Sequence, residues 1–89
     1  MLVENFIKFI KEQENNNITL ELKGIIETTI KIKKTDIQEL DKYLTIKSKE
    51  DVNQNIKLNL HQLMKINVVD ENEILLEFDQ LQTIKIKLL

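Results

Sequence analysis

Residues 18–24 read Ile18-Thr19-Leu20-Glu21-Leu22-Lys23-Gly24, and this stretch decides the fold. Its apolar and polar side chains alternate with a period of two, which is typical of a β-strand with one buried face and one solvated face. The only glycine of the chain ends the run, at a position where a tight turn or bend is needed. Because the same period continues almost to the end of the chain, residues 17–88 are predicted to be rich in β-strands.

The remaining strands are predicted from further inward-facing rows of mostly apolar side chains. These rows are Ile26, Thr28, Ile30 and Ile32; Leu44 and Ile46; Ile56, Leu58 and Leu60; Ile74, Leu76 and Phe78; and Ile84, Ile86 and Leu88. A further strand is expected at the end of residues 63–69, after a short turn. Polar segments between the rows predict a turn from Thr35 to about Asp41, a loop from Ser48 to Asn55 and a turn at residues 70–73. Six or seven short strands without helical crossovers predict an antiparallel arrangement and exclude a parallel sheet.

The first residues follow a different period. Leu2, Phe6, Phe9 and Ile10 have the spacing of one apolar stripe on a helix, so a helix is predicted over residues 2–13, ended by the three asparagines at 15–17. We expect this helix to cap an open end of the sheet or to cover one side of it. The predicted fold is therefore α+β: one amphipathic N-terminal helix, then a six- to seven-stranded, mostly antiparallel sheet rolled toward a small barrel, in a single domain of residues 1–89.

Composition narrows the classes of function. The 89 residues include no cysteine, so neither a disulfide framework nor a zinc-thiolate site is expected. The net charge is −2, and all 13 basic residues are lysine, which argues against a general nucleic-acid binder because arginine makes the bidentate contacts to phosphate and guanine. The first residues have no basic n-region, and no apolar run is long enough to span a membrane. We therefore expect a cytoplasmic protein without a membrane partner.

The sequence contains no recognisable catalytic or cofactor motif. His61 is the only histidine and Ser48 the only serine, and nothing in the sequence pairs them as base and nucleophile. The acidic run at residues 70–73 could attract a hard cation, but it lacks the length and the glycine of a calcium loop, so a solvated hairpin turn is favoured. We expect no enzyme activity, no catalytic or metal-binding residues and no cofactor.

The predicted partner-binding residues lie on polar strand faces: Lys31, Lys33, Tyr43, Lys47 and His61. An outward-facing tyrosine near lysine can stack on a nucleic-acid base or anchor a protein contact. The alternatives are an ordinary solvated sheet face, on which lysines guard strand edges against aggregation, and partial burial of Tyr43 under the helix.

Several short segments carry a resemblance to a known family. They are Phe6-Ile7-Lys8-Phe9-Ile10-Lys11-Glu12, the stretch 18–24 quoted above, and Asp41-Lys42-Tyr43-Leu44-Thr45-Ile46, followed by Leu60-His61 and Met64-Lys65-Ile66. Over residues 5–68 this order resembles the Sm-like proteins, especially the bacterial Sm-like RNA chaperones. The resemblance implies a small β-barrel that assembles into a ring and threads RNA, with Tyr43 stacking on bases and His61 at the pore. The short helix and the tail Gln82-Thr83-Ile84-Lys85 also resemble small phage inhibitors of bacterial immunity nucleases.

We expect a non-enzymatic protein-binding module, such as a phage or mobile-element inhibitor of a host defence protein. The alternatives are an Sm-like RNA-binding ring and a structural subunit of a phage particle or larger complex. A protein partner is favoured over RNA because of the acidic balance and the absence of arginine, and a homo-oligomer remains open. Binding is expected through the polar sheet face or by strand addition at a sheet edge.

Overall fold

The computed structural model describes residues 1–88, so Leu89, the last residue of the predicted domain, lies outside the described residues. One helix and eight strands follow one another along the chain. Their bounds are α1 Val3–Lys11, β1 Ile18–Lys23, β2 Thr28–Ile32, β3 Thr35–Leu40, β4 Tyr43–Ser48, β5 Asn55–Asn59, β6 Leu63–Asp70, β7 Glu73–Phe78 and β8 Thr83–Leu88. Short 3-10 segments occupy Leu60–Gln62 and Asp79–Leu81.

The helix α1 lies within the predicted range 2–13 but ends at Lys11. Phe6 and Ile10 of its apolar stripe are fully buried in the core. After Lys11 the chain tightens into i to i+3 hydrogen bonds, and Asn15 then adopts a positive φ of 71°. The polar residues after the helix therefore end it about as predicted.

The first sheet has five antiparallel strands in the order β2-β1-β8-β7-β6. The stretch that decides the fold forms β1 near its centre, where Leu20 lies opposite Ile30 on one side and Ile86 on the other. Gly24 follows β1 with a φ of 134°, a conformation that side chains with a Cβ rarely adopt. This glycine is the predicted bend.

The second sheet has three antiparallel strands in the order β3-β4-β5. The prediction of a polar turn from Thr35 to about Asp41 is wrong, because residues 35–40 form β3 and only residues 41–42 turn. Thr35 is fully buried, and its hydroxyl donates a hydrogen bond of 2.8 Å to the Gln13 carbonyl. That bond lets a polar side chain occupy an inward position, which a search for apolar alternation does not detect.

One cluster of buried apolar side chains includes residues of both sheets and of α1, and it is the core of the described chain. The α+β class and the antiparallel pairing are thus confirmed. The number of strands is eight rather than six or seven, and over residues 1–88 the strands form two sheets that do not close into one barrel. The chain passes from one sheet to the other at Lys33 and Lys34, where the φ of Lys34 is 48°.

Smaller differences concern the ends of strands. β2 begins at Thr28, and both Ile26 and Thr28, predicted to face inward, are exposed. Leu60 is buried as predicted but lies in a 3-10 segment rather than a strand. The loop predicted from Ser48 to Asn55 narrows to residues 49–54, because Ser48 ends β4 and Asn55 begins β5. The turn predicted at residues 70–73 narrows to 71–72.

Candidate protein-binding surface

The β3-β4 hairpin presents two apolar side chains to solvent side by side. Leu40 and Tyr43 are directly opposite in the register, on the outward face of the three-stranded sheet. Leu40 is 80% exposed and Tyr43 is 37% exposed. Large apolar side chains that lie together on a surface are typical of contact sites, whereas single ones are common everywhere.

The turn that joins these two residues has a strained backbone and is held by hydrogen bonds. Asp41 and Lys42 have φ values of 53° and 62°, as two-residue hairpin turns require, although glycine is the residue preferred at such positions. The Lys42 amide donates to a Glu39 carboxylate oxygen at 2.9 Å, and the Lys42 carbonyl accepts from the Leu60 amide at 2.8 Å. These bonds hold the hairpin tip in one conformation.

His61 lies beside the tip because the segment after β5 places it there. Asn59 caps this segment by accepting a hydrogen bond of 3.0 Å from the His61 amide. The ring nitrogen Nε2 of His61 is 3.0 Å from the Asp41 carbonyl, so a proton on Nε2 donates to that oxygen. The His61 and Tyr43 rings meet edge to face, with centroids 5.7 Å apart and planes at 64°. This geometry is a favourable aromatic contact.

Lys57 completes the group from the neighbouring strand. Its ammonium nitrogen is 4.9 Å from the centroid of the Tyr43 ring, within the range of a cation–π contact. We call Leu40, Tyr43, Lys57 and His61 the aromatic patch. Within residues 1–88 the ion pairs join Lys49 to Glu14 and Lys87 to Glu21, so Lys57 has no carboxylate partner there. The patch therefore combines apolar area with one positive charge.

The structure brings only some of the predicted site residues together. Tyr43 and His61 are in contact, and Lys47 shares the outward face of β4 with Tyr43 but lies opposite Asp36 and Asn55. Lys31 is exposed on β2 of the other sheet, opposite Thr19. Lys33 lies at the corner between the sheets, where its carbonyl accepts a hydrogen bond from the Ser48 hydroxyl.

Two residues of the patch were missed as site residues. Leu40 falls inside the stretch wrongly predicted to be a polar turn. The alternation of β5 predicts that Lys57 faces outward. Its contact with Tyr43 cannot be predicted in this way, because it depends on the β4-β5 register, in which Tyr43 lies opposite Asn59. The signal that could have found Leu40 is the spacing Leu40-Asp41-Lys42-Tyr43, which fits a two-residue hairpin turn.

The outward face of the five-stranded sheet carries Lys85 and Lys87, each of which lies opposite an acidic residue. Lys85 lies opposite Glu21, Lys87 lies opposite Glu73, and the Lys87 ammonium is 3.2 Å from a Glu21 carboxylate oxygen. This alternation of sign is that of an ordinary solvated sheet, so the face offers no concentrated positive charge.

Residues 1–88 contain no group of three or more His, Cys, Asp or Glu side chains placed to hold a metal ion. In the acidic turn, an Asp70 carboxylate oxygen accepts a hydrogen bond of 2.7 Å from the Asn72 amide, as in a solvated hairpin. None of the helices formed by these residues has the length and apolar character needed to cross a membrane.

No protein-family model, curated protein or solved structure matches the chain. The resemblances to Sm-like proteins and to small phage inhibitors therefore stay predictions.

Proposed function

We propose that the chain is a non-enzymatic protein-binding module whose contact surface is the aromatic patch. The observation that carries this proposal is the exposed pair of Leu40 and Tyr43 at the tip of the β3-β4 hairpin, which hydrogen bonds hold in place. Tyrosine is enriched among the residues that dominate binding energy, because it buries a large area at small entropic cost. The biological role we propose is that of a phage or mobile-element inhibitor, which binds a host defence protein.

Rigidity of the patch supports this function. Binding by a mobile loop loses free energy when the loop becomes ordered, whereas a surface that is already ordered avoids that loss. Hydrogen bonds to Lys42 and a close contact of His61 with Asp41 hold the tip in place. The tip therefore has the properties of a preformed anchor for a partner's pocket.

The experiment is capture of partners from a host lysate, followed by titration of the purified partner. Leu40→Ser and Tyr43→Ala should each raise the dissociation constant by about tenfold or more, as loss of an anchor residue does. Val52→Ser is the matched control, because Val52 is 87% exposed in a loop away from the patch. If both patch variants bind the partner as tightly as the control does, the assignment of the surface is wrong.

An Sm-like RNA-binding ring is the second candidate, and one contact favours it. The Tyr43 ring lies against His61 with Lys57 over it, which is the chemistry of a base-stacking platform. Light scattering with and without a short A/U-rich RNA separates the two candidates. A ring-sized oligomer that grows with RNA supports this candidate, and a monomer or dimer indifferent to RNA excludes it. Self-assembly without any ligand would favour the third possibility, a structural subunit.

A further inference from the structure

An apolar groove of about 510 Å³ opens between the two sheets. Residues 56–59 of β5 line one part, and Thr28 and Ile30 of β2 line another. Leu22, Phe78 and Ile84 add apolar area from three other strands. This volume falls in the range of ordinary ligand sites.

Both β2 and β5 are sheet edges. β2 is the outermost strand of the five-stranded sheet and β5 that of the three-stranded sheet, and among residues 1–88 no further strand pairs with either. An edge strand points alternate backbone N–H and C=O groups away from its sheet, where they are free to pair with another chain. The groove is thus bordered by the outermost strand of each sheet.

The opposite edge of the three-stranded sheet, β3, forms hydrogen bonds with the segment after α1. The Thr35 amide and carbonyl of β3 bond to the Asn16 carbonyl and the Asn15 amide, at 3.1 and 2.8 Å. The Ile37 amide donates to a Glu14 carboxylate oxygen at 2.9 Å. The segment after α1 therefore occupies the β3 edge, whereas the β5 edge faces the groove. Among residues 1–88, the chain thus pairs its own residues with the β3 edge, whereas no strand pairs with the outer side of β5.

We propose that the groove receives an extended segment of the protein partner, which adds as a strand to β5. This inference rests on the proposed function and specifies the conformation of the partner. A segment of about five residues, about 17 Å long, matches the length of β5. Its inward side chains would be apolar, because the groove is lined mainly by isoleucine, leucine and phenylalanine.

Charge indicates the composition of the segment. Lys57 lies on the β5 wall and has no carboxylate partner among the described residues, whereas Asp79, the one carboxylate of the lining, lies on the turn after β7. A segment with an acidic side chain next to β5 complements Lys57. Lys57 also belongs to the aromatic patch, so one partner can contact the patch and the groove together.

The test uses the intact protein and a displayed library of short random peptides. We expect enrichment of peptides that alternate apolar and other residues and carry an acid. The most enriched peptide should slow amide hydrogen exchange at residues 55–59. N-methylation of the peptide amides that face β5 should weaken binding about tenfold or more, because it removes the strand pairing. Absence of enrichment, or protection confined to other residues, would overturn the proposal.

Two protein variants test the role of charge. Lys57→Glu should reverse the preference of the library from acidic to basic peptides. Lys47→Glu is the matched control, because Lys47 lies on the same outward sheet face but does not line the groove, and it should leave the preference unchanged. An unchanged preference in the Lys57 variant contradicts the assigned composition.

Failure of this inference can be told from failure of the proposed function. Leu40 does not line the groove, so Leu40→Ser should leave peptide binding intact. If Leu40→Ser weakens the lysate-derived partner but the library gives no groove binder, only the groove proposal fails. If groove peptides bind but the partner is insensitive to Leu40→Ser and Tyr43→Ala, the aromatic patch is the part that fails.

Discussion

Substitution of Gly24, the only glycine of the chain, should destabilise the protein more than substitution of another exposed residue in the loop between β1 and β2. Gly24 has a φ of 134°, and a Cβ at this position would lie 2.4 Å from the Leu81 carbonyl oxygen and 2.9 Å from the Gln82 Cα. Both atoms belong to backbone, so relief of the overlap must move the turn at residues 79–81. In Gly24→Ala, the strained φ and the steric overlap therefore act together.

The magnitude follows from these two effects. A residue with a Cβ held in a glycine-only region costs about 1–3 kcal/mol. Overpacking against fixed atoms costs about 1–3 kcal/mol more. The reduced freedom of alanine in the unfolded chain returns about 0.4–1 kcal/mol. The net loss for Gly24→Ala is about 1–6 kcal/mol with a middle value of about 3 kcal/mol, against a total of about 4–13 kcal/mol expected for a chain of this length.

Urea unfolding followed by circular dichroism measures this loss. With a slope of about 1–2 kcal/mol per molar urea, a loss of about 3 kcal/mol should lower the unfolding midpoint of Gly24→Ala by roughly 1.5–3 M. Glu27→Ala, an exposed change in the same loop, should stay within about 0.5 kcal/mol of the parent protein. A Gly24→Ala midpoint equal to that of this control, with an unchanged slope, would refute the argument from φ and overlap.

Three further changes test the hydrogen bonds and turns described above, each by chemical unfolding. Lys42→Gly should stabilise the protein by about 0.5–1 kcal/mol, because it removes the side chain from a positive-φ turn position, and a loss of stability would contradict this. Gln82→Ala should cost about 1–3 kcal/mol and speed amide hydrogen exchange at Ile26. The Gln82 side-chain oxygen accepts a hydrogen bond of 2.9 Å from the Ile26 amide, and the Gln82 side-chain nitrogen donates one of 3.0 Å to the Ile26 carbonyl. Unchanged exchange would show that other contacts hold the loop. Thr35→Val should cost about 1–2 kcal/mol by loss of the bond to Gln13, whereas Thr45→Val on the outward face should cost less, and equal costs would refute the role of that bond.

The sequence predicts strands well where apolar residues alternate without interruption. β1, β4, β7 and β8 each carry an inward row of isoleucine and leucine, and these side chains are buried as expected, whereas Phe78 at the end of the β7 row is only half-buried. β3 was missed because its inward row begins with Thr35 and includes only one buried apolar residue, Ile37. Burial of Thr35 depends on the Gln13 carbonyl, which is 22 residues away in sequence, so the local pattern contains no sign of it.

The periodicity of the sequence also does not predict that the strands divide into two sheets. Alternation fixes which residues share a face, but it does not fix which strands pair. The corner at Lys33 and Lys34 depends on a positive φ in a non-glycine residue, and no glycine or proline marks it in the sequence. A barrel and a pair of sheets are therefore equally consistent with the same rows.

The candidate site was predicted only in part for the same reason. Tyr43 and His61 were assigned correctly to exposed positions, but their contact depends on the β4-β5 register and on the cap at Asn59. Lys31 and Lys47 follow the same outward alternation, yet one lies on each sheet. Shared polarity of strand faces does not imply shared location.

The conformation of the β3-β4 hairpin tip supports the proposal that this surface contacts a partner. Positive φ values in Asp41 and Lys42 cost free energy, and Leu40 gains little by exposure to water. Folding alone would favour Asp-Gly at the turn and a polar residue at position 40. The strained tip and the exposed Leu40 are therefore features that stability does not require. We expect the proposed partner to contact the tip and the β5 edge together, because Lys57 belongs to the aromatic patch and also lines the groove.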